Sequence, residues 1–284
     1  MNGPWLKLAA ARAVITALFL LGGCGSMADL GSPAEEIRII GSDTMLPLNR
    51  HLATLFMTSH PGSIVVVEGG GTGVGVDNLI DGRAQLCAAS RPLQPDEIER
   101  LFAQQGTLGI RSLVALDGVA IYVHPDNPVE SLTLDQLAGL FDGRLTQWAT
   151  VGGDDRSVLP IIRPPTSGTH RFFKNHILGG NDYAAGARTE RRTSDVIDAV
   201  AADPGAIGFG GLAYSGDVRH CPIEGKLPDP KALRDGRYPL ARYLYLYAAE
   251  PPQGLLETFL SWVDGPEGQA AVADVGLIPL WPDA

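Results

Sequence analysis

The stretch "IRIIGSDTMLPLNRHLATLFMTSH", residues 37 to 60, changes period at its glycine. Ile37, Ile39 and Ile40 make a short apolar strand, whereas Leu48, Leu52, Leu55 and Phe56 recur at helical spacing. Gly41 and Ser42 mark the turn between them, and Pro47 falls in the first helical turn, where a missing N–H costs little. This is strand, glycine turn, helix, the opening of a βαβ unit.

The same unit recurs outward from there. "SIVVV" at 63 to 67 is a continuous apolar run that predicts a strand buried on both faces, followed by the glycine-rich "EGGGTGVGVDNLIDG" and a short helix. "AQLCAAS" predicts a third strand, "QPDEIERLFAQQ" a helix and "IRSLVAL" a fourth strand. A second region starts at "DGVAIYVHPDNP". Within it Thr133 and Gln136 have capping-box spacing, and Gly143 closes that helix. "VLPIIR" is the next strand and "THRFFKNHIL" its helix; "TSDVIDAVAADPGAIGFGGL" adds another pair, with Ser194 as the expected cap. "YPLARYLYLYAAE" predicts a long strand, and two helices end the chain. Two α/β regions joined by long strands near 111–124 and 240–248 predict an α/β fold of two lobes with a cleft between them. Ligands in such sheets bind beyond the carboxyl ends of the strands.

Bulk properties narrow the partners. The chain has 284 residues, 45% hydrophobic and 19% charged, which is a folded globular composition with enough length for two lobes. A formal net charge of -10 argues against nucleic acid, whose binders present basic surfaces. The N-terminus "MNGPWLKLAAARAVITALFLLGGCGS" has Lys7 and Arg12, then an apolar run from Ala13 to Leu21 that is too short for a membrane span. "LGGC" at 21 to 24 resembles a bacterial lipobox. It implies removal of a signal peptide, residues 1–23, and a lipid on Cys24, with residues 24–36 as a flexible tether. A plain secretory signal is the other reading. Cys87 and Cys221 remain, and their spacing does not decide whether they pair.

Three strand-to-helix turns share one grammar: "GSDTM", "GGGTGVG" and "RPPTSGT". Each puts glycine and hydroxyls where the first N–H groups of a helix lack internal partners and carry partial positive charge. A single such turn is an ordinary cap, but three together form a cradle for a tetrahedral oxyanion. Arg163 and Arg91 would add forked charged donors.

The ordered set "GSDTM", "GGGTG", "AASRPL", "GVAIYVHPDNP", "LTLDQLAGLF", "RPPTSGT" with "FF" following, "GAIGFGGL" and "YPLARYLYLY" resembles the phosphate-binding proteins of high-affinity ABC phosphate importers, over residues 37 to 280. The resemblance implies a type II periplasmic-binding-protein fold of mixed, mostly parallel sheets flanked by helices. It further implies lobe 1 at 37–115 and 244–284, and lobe 2 at 116–243. One inorganic phosphate would be held by Thr44, the N–H of Met45, Thr72, Ser90, Arg91, Arg163, Ser167, Gly168 and Thr169. Its implied partners are the permease and ATPase subunits of the importer. The implied location is the periplasm or cell surface, with a lipid anchor and a monomeric state.

Arg91 stands where the family commonly has an aspartate that accepts the ligand's proton, which leaves Asp43, Glu68 and Asp117 as candidate acceptors. Nothing in the sequence predicts an enzyme, a cofactor or a metal. No Gly-x-Ser-x-Gly elbow is present, "GKL" lacks the phosphate-loop hydroxyl, and His170 and His176 fall on different helix faces. Two other functions fit the same fold: a receptor for sulfate, molybdate or tungstate, and a surface lipoprotein for adhesion or signalling.

Overall fold

The computed structural model describes residues 36–281, so the signal-peptide, tether and Cys24 expectations lie outside the described residues. The chain begins as foreseen. Strand β1 (Glu36–Gly41) runs through a short 3-10 turn (Asp43–Met45) into helix α1 (Leu46–Ser59), whose buried Leu48, Leu52 and Phe56 lie one above another on the inner face. The turn is tight because Gly41 has φ 149° and a Cβ there would lie 2.2 Å from the carbonyl oxygen of Ala88.

Strand β2 (Ile64–Glu68) and helix α2 (Thr72–Ile80) follow, then β3 (Leu86–Ala89) and α3 (Pro95–Gln105). Both β2 and β3 pair with β1 in parallel, so β1 lies between them. β2 is therefore the edge of the sheet and half-buried, not buried on both faces as its apolar run suggested. β3, paired on both sides, is wholly buried.

The centre of the sheet is built from two long strands. β4 (Ile110–Val123) and β9 (Ala241–Ala248) pair antiparallel, with Asp117 opposite Arg242. Between them in sequence come α4 (Leu134–Asp142), β5 (Leu159–Ile162), α5 (Gly168–His176), β6 (Arg188–Thr189), α6 (Thr193–Ala202), β7 (Ala206–Gly211), β8 (Arg219–Cys221) and α7 (Pro230–Arg234). After β9 the chain ends in α8 (Gly254–Asp264) and α9 (Pro266–Asp274). The strand order is β2-β1-β3-β9-β4-β7-β5-β6, with β8 beside β4. The sheet is mixed: the outer pairs β1–β2, β1–β3, β5–β6 and β5–β7 are parallel, and those made by β4 and β9 are antiparallel.

Apolar packing divides along β4 and β9. Val114, Ala115, Leu244 and Leu246 share a core with α1, α8 and α9, through Leu52, Phe56, Phe259 and Val272. A few residues along, Val119, Ile121 and Val123 belong to another core with Phe141, Trp148, Phe173 and Phe209. The closing helices thus return to the half where the chain began. Cys87 and Cys221 are free thiols in separate cores. Burial pushes the Cys221 thiol up to about 11, and the Cys87 thiol also rises.

Two cap expectations resolve differently. Thr133 accepts from the Gln136 N–H while the Gln136 side chain accepts from the Thr133 N–H, which is the expected box. α6 begins after Arg192, whose N–H donates to Asp195, so Ser194 is inside the helix and not its cap.

Candidate functional site

The three glycine-hydroxyl turns converge. Thr44 lies in the turn before α1, Thr72 opens α2, Ser90 follows β3, and Ser167 caps α5, with its hydroxyl accepting from the His170 N–H at 3.3 Å. All four hydroxyl residues are buried, as is Thr169. Thr44 and Thr169, 125 positions apart, meet hydroxyl to hydroxyl at 2.9 Å. Thr72 Oγ1 accepts from the Ser90 N–H at 3.2 Å, and the Gly73 N–H donates to the Thr166 carbonyl at 2.9 Å.

Gly168 is the keystone of this convergence. A Cβ at this position would fall 2.3 Å from Thr72 Oγ1 and 2.5 Å from Ser90 Oγ, so the first turn of α5 meets those hydroxyls only because no side chain intervenes. The leading N–H groups of α5 have no intrahelical acceptor, and the helix dipole adds partial positive charge there.

Arg163, at the end of β5 and only 2% exposed, is nearly saturated by protein. One terminal nitrogen donates to Thr193 at 2.7 Å; the other donates to Asp43 at 2.6 Å and to the Arg191 carbonyl at 2.8 Å. Its Nε is buried without a hydrogen-bond partner among the described residues, an unspent donor. Burial lowers the Arg163 pKa, and the neighbouring Asp43 carboxylate opposes that shift. Asp43 also accepts from the Gly70 N–H at 3.0 Å, and its carbonyl accepts from the Tyr214 hydroxyl. Burial, with the Asp43 charge adding to it, pushes Tyr214 up to about 12, so it stays a phenol donor.

Several expected ligand residues take other partners. The Met45 N–H donates to the Ser42 carbonyl at 3.0 Å, which closes the 3-10 turn and removes it as a free donor. Arg91 turns onto Glu97 with two bonds of 2.6 and 2.8 Å and onto the Pro92 carbonyl, and Glu97 in turn accepts from the Gln94 N–H at the start of α3. Arg91 is thus a buried fork beside Ser90 whose terminal nitrogens are taken by protein, while its Nε, like that of Arg163, has no hydrogen-bond partner among the described residues.

Of the three candidate acceptors, Glu68 is half-exposed on Arg38 and stands apart. Asp117 is fully buried and saturated by the Leu212 N–H and by Arg242, so it has no oxygen facing a ligand. Its carboxyl is raised by burial and pulled back by Arg242. Only Asp43 sits among the converging residues.

Arg242 escaped sequence reading because "LARYLYLY" looks like an ordinary strand. It is buried, donates to Thr169 at 3.0 Å, and lies over the Phe172 ring at 5.5 Å. Each buried arginine here, Arg91, Arg163 and Arg242, is thereby neutralised by a buried carboxylate. The arrangement offers hydroxyls, helix ends and an unspent guanidinium N–H with little net charge, which suits a small, dehydrated anion held by local donors. Among the described residues there is no cluster of side chains able to hold a metal ion.

A mixed sheet whose halves supply hydroxyls and helix ends to one buried point defines the two-lobe class of solute-binding proteins. A family model described as a PBP superfamily domain matches residues 28–267. The phosphate-binding protein PstS of Bacillus subtilis is 31% identical over 248 residues, 86% of this chain and 81% of that protein. The protein of the same name from Pseudomonas aeruginosa is 27% identical over 85% of this chain and 82% of its own length. A crystal structure from Clostridium perfringens, assigned as a phosphate ABC transporter substrate-binding protein with bound phosphate, superposes with TM-score 0.81 at 25% identity, over 87% of this chain and 100% of that one. An ABC-type phosphate transport receptor from Vibrio cholerae gives TM-score 0.71 at 26% identity, over 85% and 99%. The chain belongs to the PBP superfamily and, within it, to the phosphate-binding protein family of PstS.

Proposed function

We propose that this chain is an extracytoplasmic solute-binding protein that captures inorganic phosphate between two lobes and delivers it to an ABC importer. The observation that carries the reading is the buried meeting of groups from distant turns: the Thr44 and Thr169 hydroxyls touch, and Arg163 donates to Asp43 while its Nε keeps an unspent N–H. Charge-assisted hydrogen bonds contribute roughly 1.5 to 3 kcal/mol each. A handful exceeds the roughly 8 kcal/mol of a micromolar complex after ordering costs.

The binding set is Thr44, Thr72, Ser90, Arg163, Ser167, Gly168 and Thr169, and Asp43 is the carboxylate next to it, held by the Gly70 N–H and by Arg163. Lobe 1 comprises 37–115 and 244–284 and lobe 2 comprises 116–243. The change of apolar core between Ala115 and Leu116 in β4, and between Ala241 and Leu244 in β9, supports those boundaries. The protein acts as a binder without chemistry of its own. It is a monomer, anchored by a lipid on Cys24 after loss of residues 1–23, and the permease and ATPase of the importer are its partners. Among the described residues no helix is long and apolar enough to cross a membrane.

Equilibrium titration with phosphate tests the site. Arg163→Ala should abolish binding, and unchanged affinity would remove the cradle. Because that change leaves Asp43 buried and unpaired, the double variant Asp43→Asn/Arg163→Gln separates loss of the donor from loss of the fold.

A further inference from the structure

Asp117 and Arg242 face each other across β4 and β9, at the level where one apolar core gives way to the other. A buried arginine–carboxylate pair ordinarily closes as a fork with two parallel bonds. This one does not. Arg242 Nε donates to Asp117 Oδ2 at 2.9 Å, while Nη2, 2.8 Å from the same oxygen, lies off the hydrogen-bonding direction and has no hydrogen-bond acceptor among the described residues. The guanidinium is instead turned so that Nη1 donates to Thr169 Oγ1 at 3.0 Å, with its Cζ 5.5 Å from the ring centroid of Phe172, three residues along the same helix. The second bond of the fork is given up to reach the first turn of α5.

That contact takes up one acceptor position on Thr169 Oγ1. Thr44 and Thr169 hold two O–H donors between them, and Arg242 occupies a lone pair on Thr169. One O–H lies between the two threonines, whichever donates, and the other is left pointing away from the pair. We propose that Arg242 is a positioning residue for the oxyanion site: anchored on Asp117 across the two central strands, it fixes Thr169 Oγ1 at the first turn of α5, so that the Thr44–Thr169 pair is held where its remaining O–H meets the bound anion. The inference rests on the phosphate reading above and extends it to a residue behind the binding hydroxyls.

The test is a double-mutant cycle read by calorimetric titration with inorganic phosphate, using Arg242→Lys, Thr169→Val and the two combined. Lysine keeps a cation beside Asp117 but lacks the fork that spans to Thr169, so the buried carboxylate stays compensated. Each single change should weaken binding roughly tenfold, and the double change no further than either alone, because both remove one donor geometry. Losses that multiply to roughly a hundredfold, or an Arg242→Lys protein that binds like the parent, would overturn the assignment. If the parent itself does not bind phosphate, the phosphate reading fails separately. Amide exchange in the ligand-free protein then decides the positioning role: faster exchange at Thr169, His170 and Arg171 in Arg242→Lys supports it, and unchanged exchange overturns it.

Discussion

Gly168 concentrates the physical demands of the site in one missing atom. A methyl group there would sit 2.3 Å from the Thr72 hydroxyl, well inside contact distance, so Gly168→Ala must push α5 away from α2 and Ser90. Both elements keep their own cores, so the expected result is loss of phosphate affinity by at least about tenfold with a loss of stability of roughly 1 to 3 kcal/mol that leaves the protein folded. Wild-type affinity in this variant would show that the hydroxyls of α2 and the start of α5 do not act on one ligand. Arg163 and Arg91 illustrate the opposite lesson. Both read as free charged donors in sequence, yet each is claimed by a carboxylate, Asp43 or Glu97, that no local pattern links to it.

Helix α5 carries a second consequence through His170. Its Nδ1 lies 2.5 Å from the Arg163 carbonyl, so it carries the proton and donates, and burial lowers the ring's pKa below the ordinary 6.5. His220, on β8 beside Tyr122, is lowered by burial as well. In both cases the unfolded chain binds the proton first as pH falls, so stability is full above about 6.5 and is lost on acidification below it. Thermal melts from about pH 7 down to about pH 5 should show a falling midpoint, reduced in slope by His170→Gln; a flat profile would contradict the buried neutral histidines.

The elements themselves were largely legible. Strand-turn-helix at 37 to 60, the Thr133 box and the two closing helices follow from period and caps that act within a few residues. What was not legible is set by pairing at long range. The edge position of β2, the antiparallel centre made by β4 and β9, and the role of Arg242 depend on partners more than a hundred residues away for the last two. Of the site, the hydroxyls and Gly168 were readable because they recur at helix starts. The partners of Met45 and Arg91 were not readable, because backbone closure and a carboxylate six residues on take their donors.

At the scale of the whole molecule, the net charge of -10 repels an anion at a distance, and the buried arginines do not reverse this because each is paired. Capture must therefore rest on contacts made when donors on both sides of the β4–β9 junction reach the ion together, which couples binding to closure. The most direct measurement is calorimetric titration of the purified protein, stripped of ligand by mild unfolding and refolding, with phosphate and then sulfate from about pH 5 to about pH 9. The account predicts a single phosphate site of micromolar affinity or tighter with sulfate bound more weakly at every pH, on the order of 8 kcal/mol or more of binding free energy for phosphate. Silence toward phosphate, or sulfate bound as tightly, would contradict it.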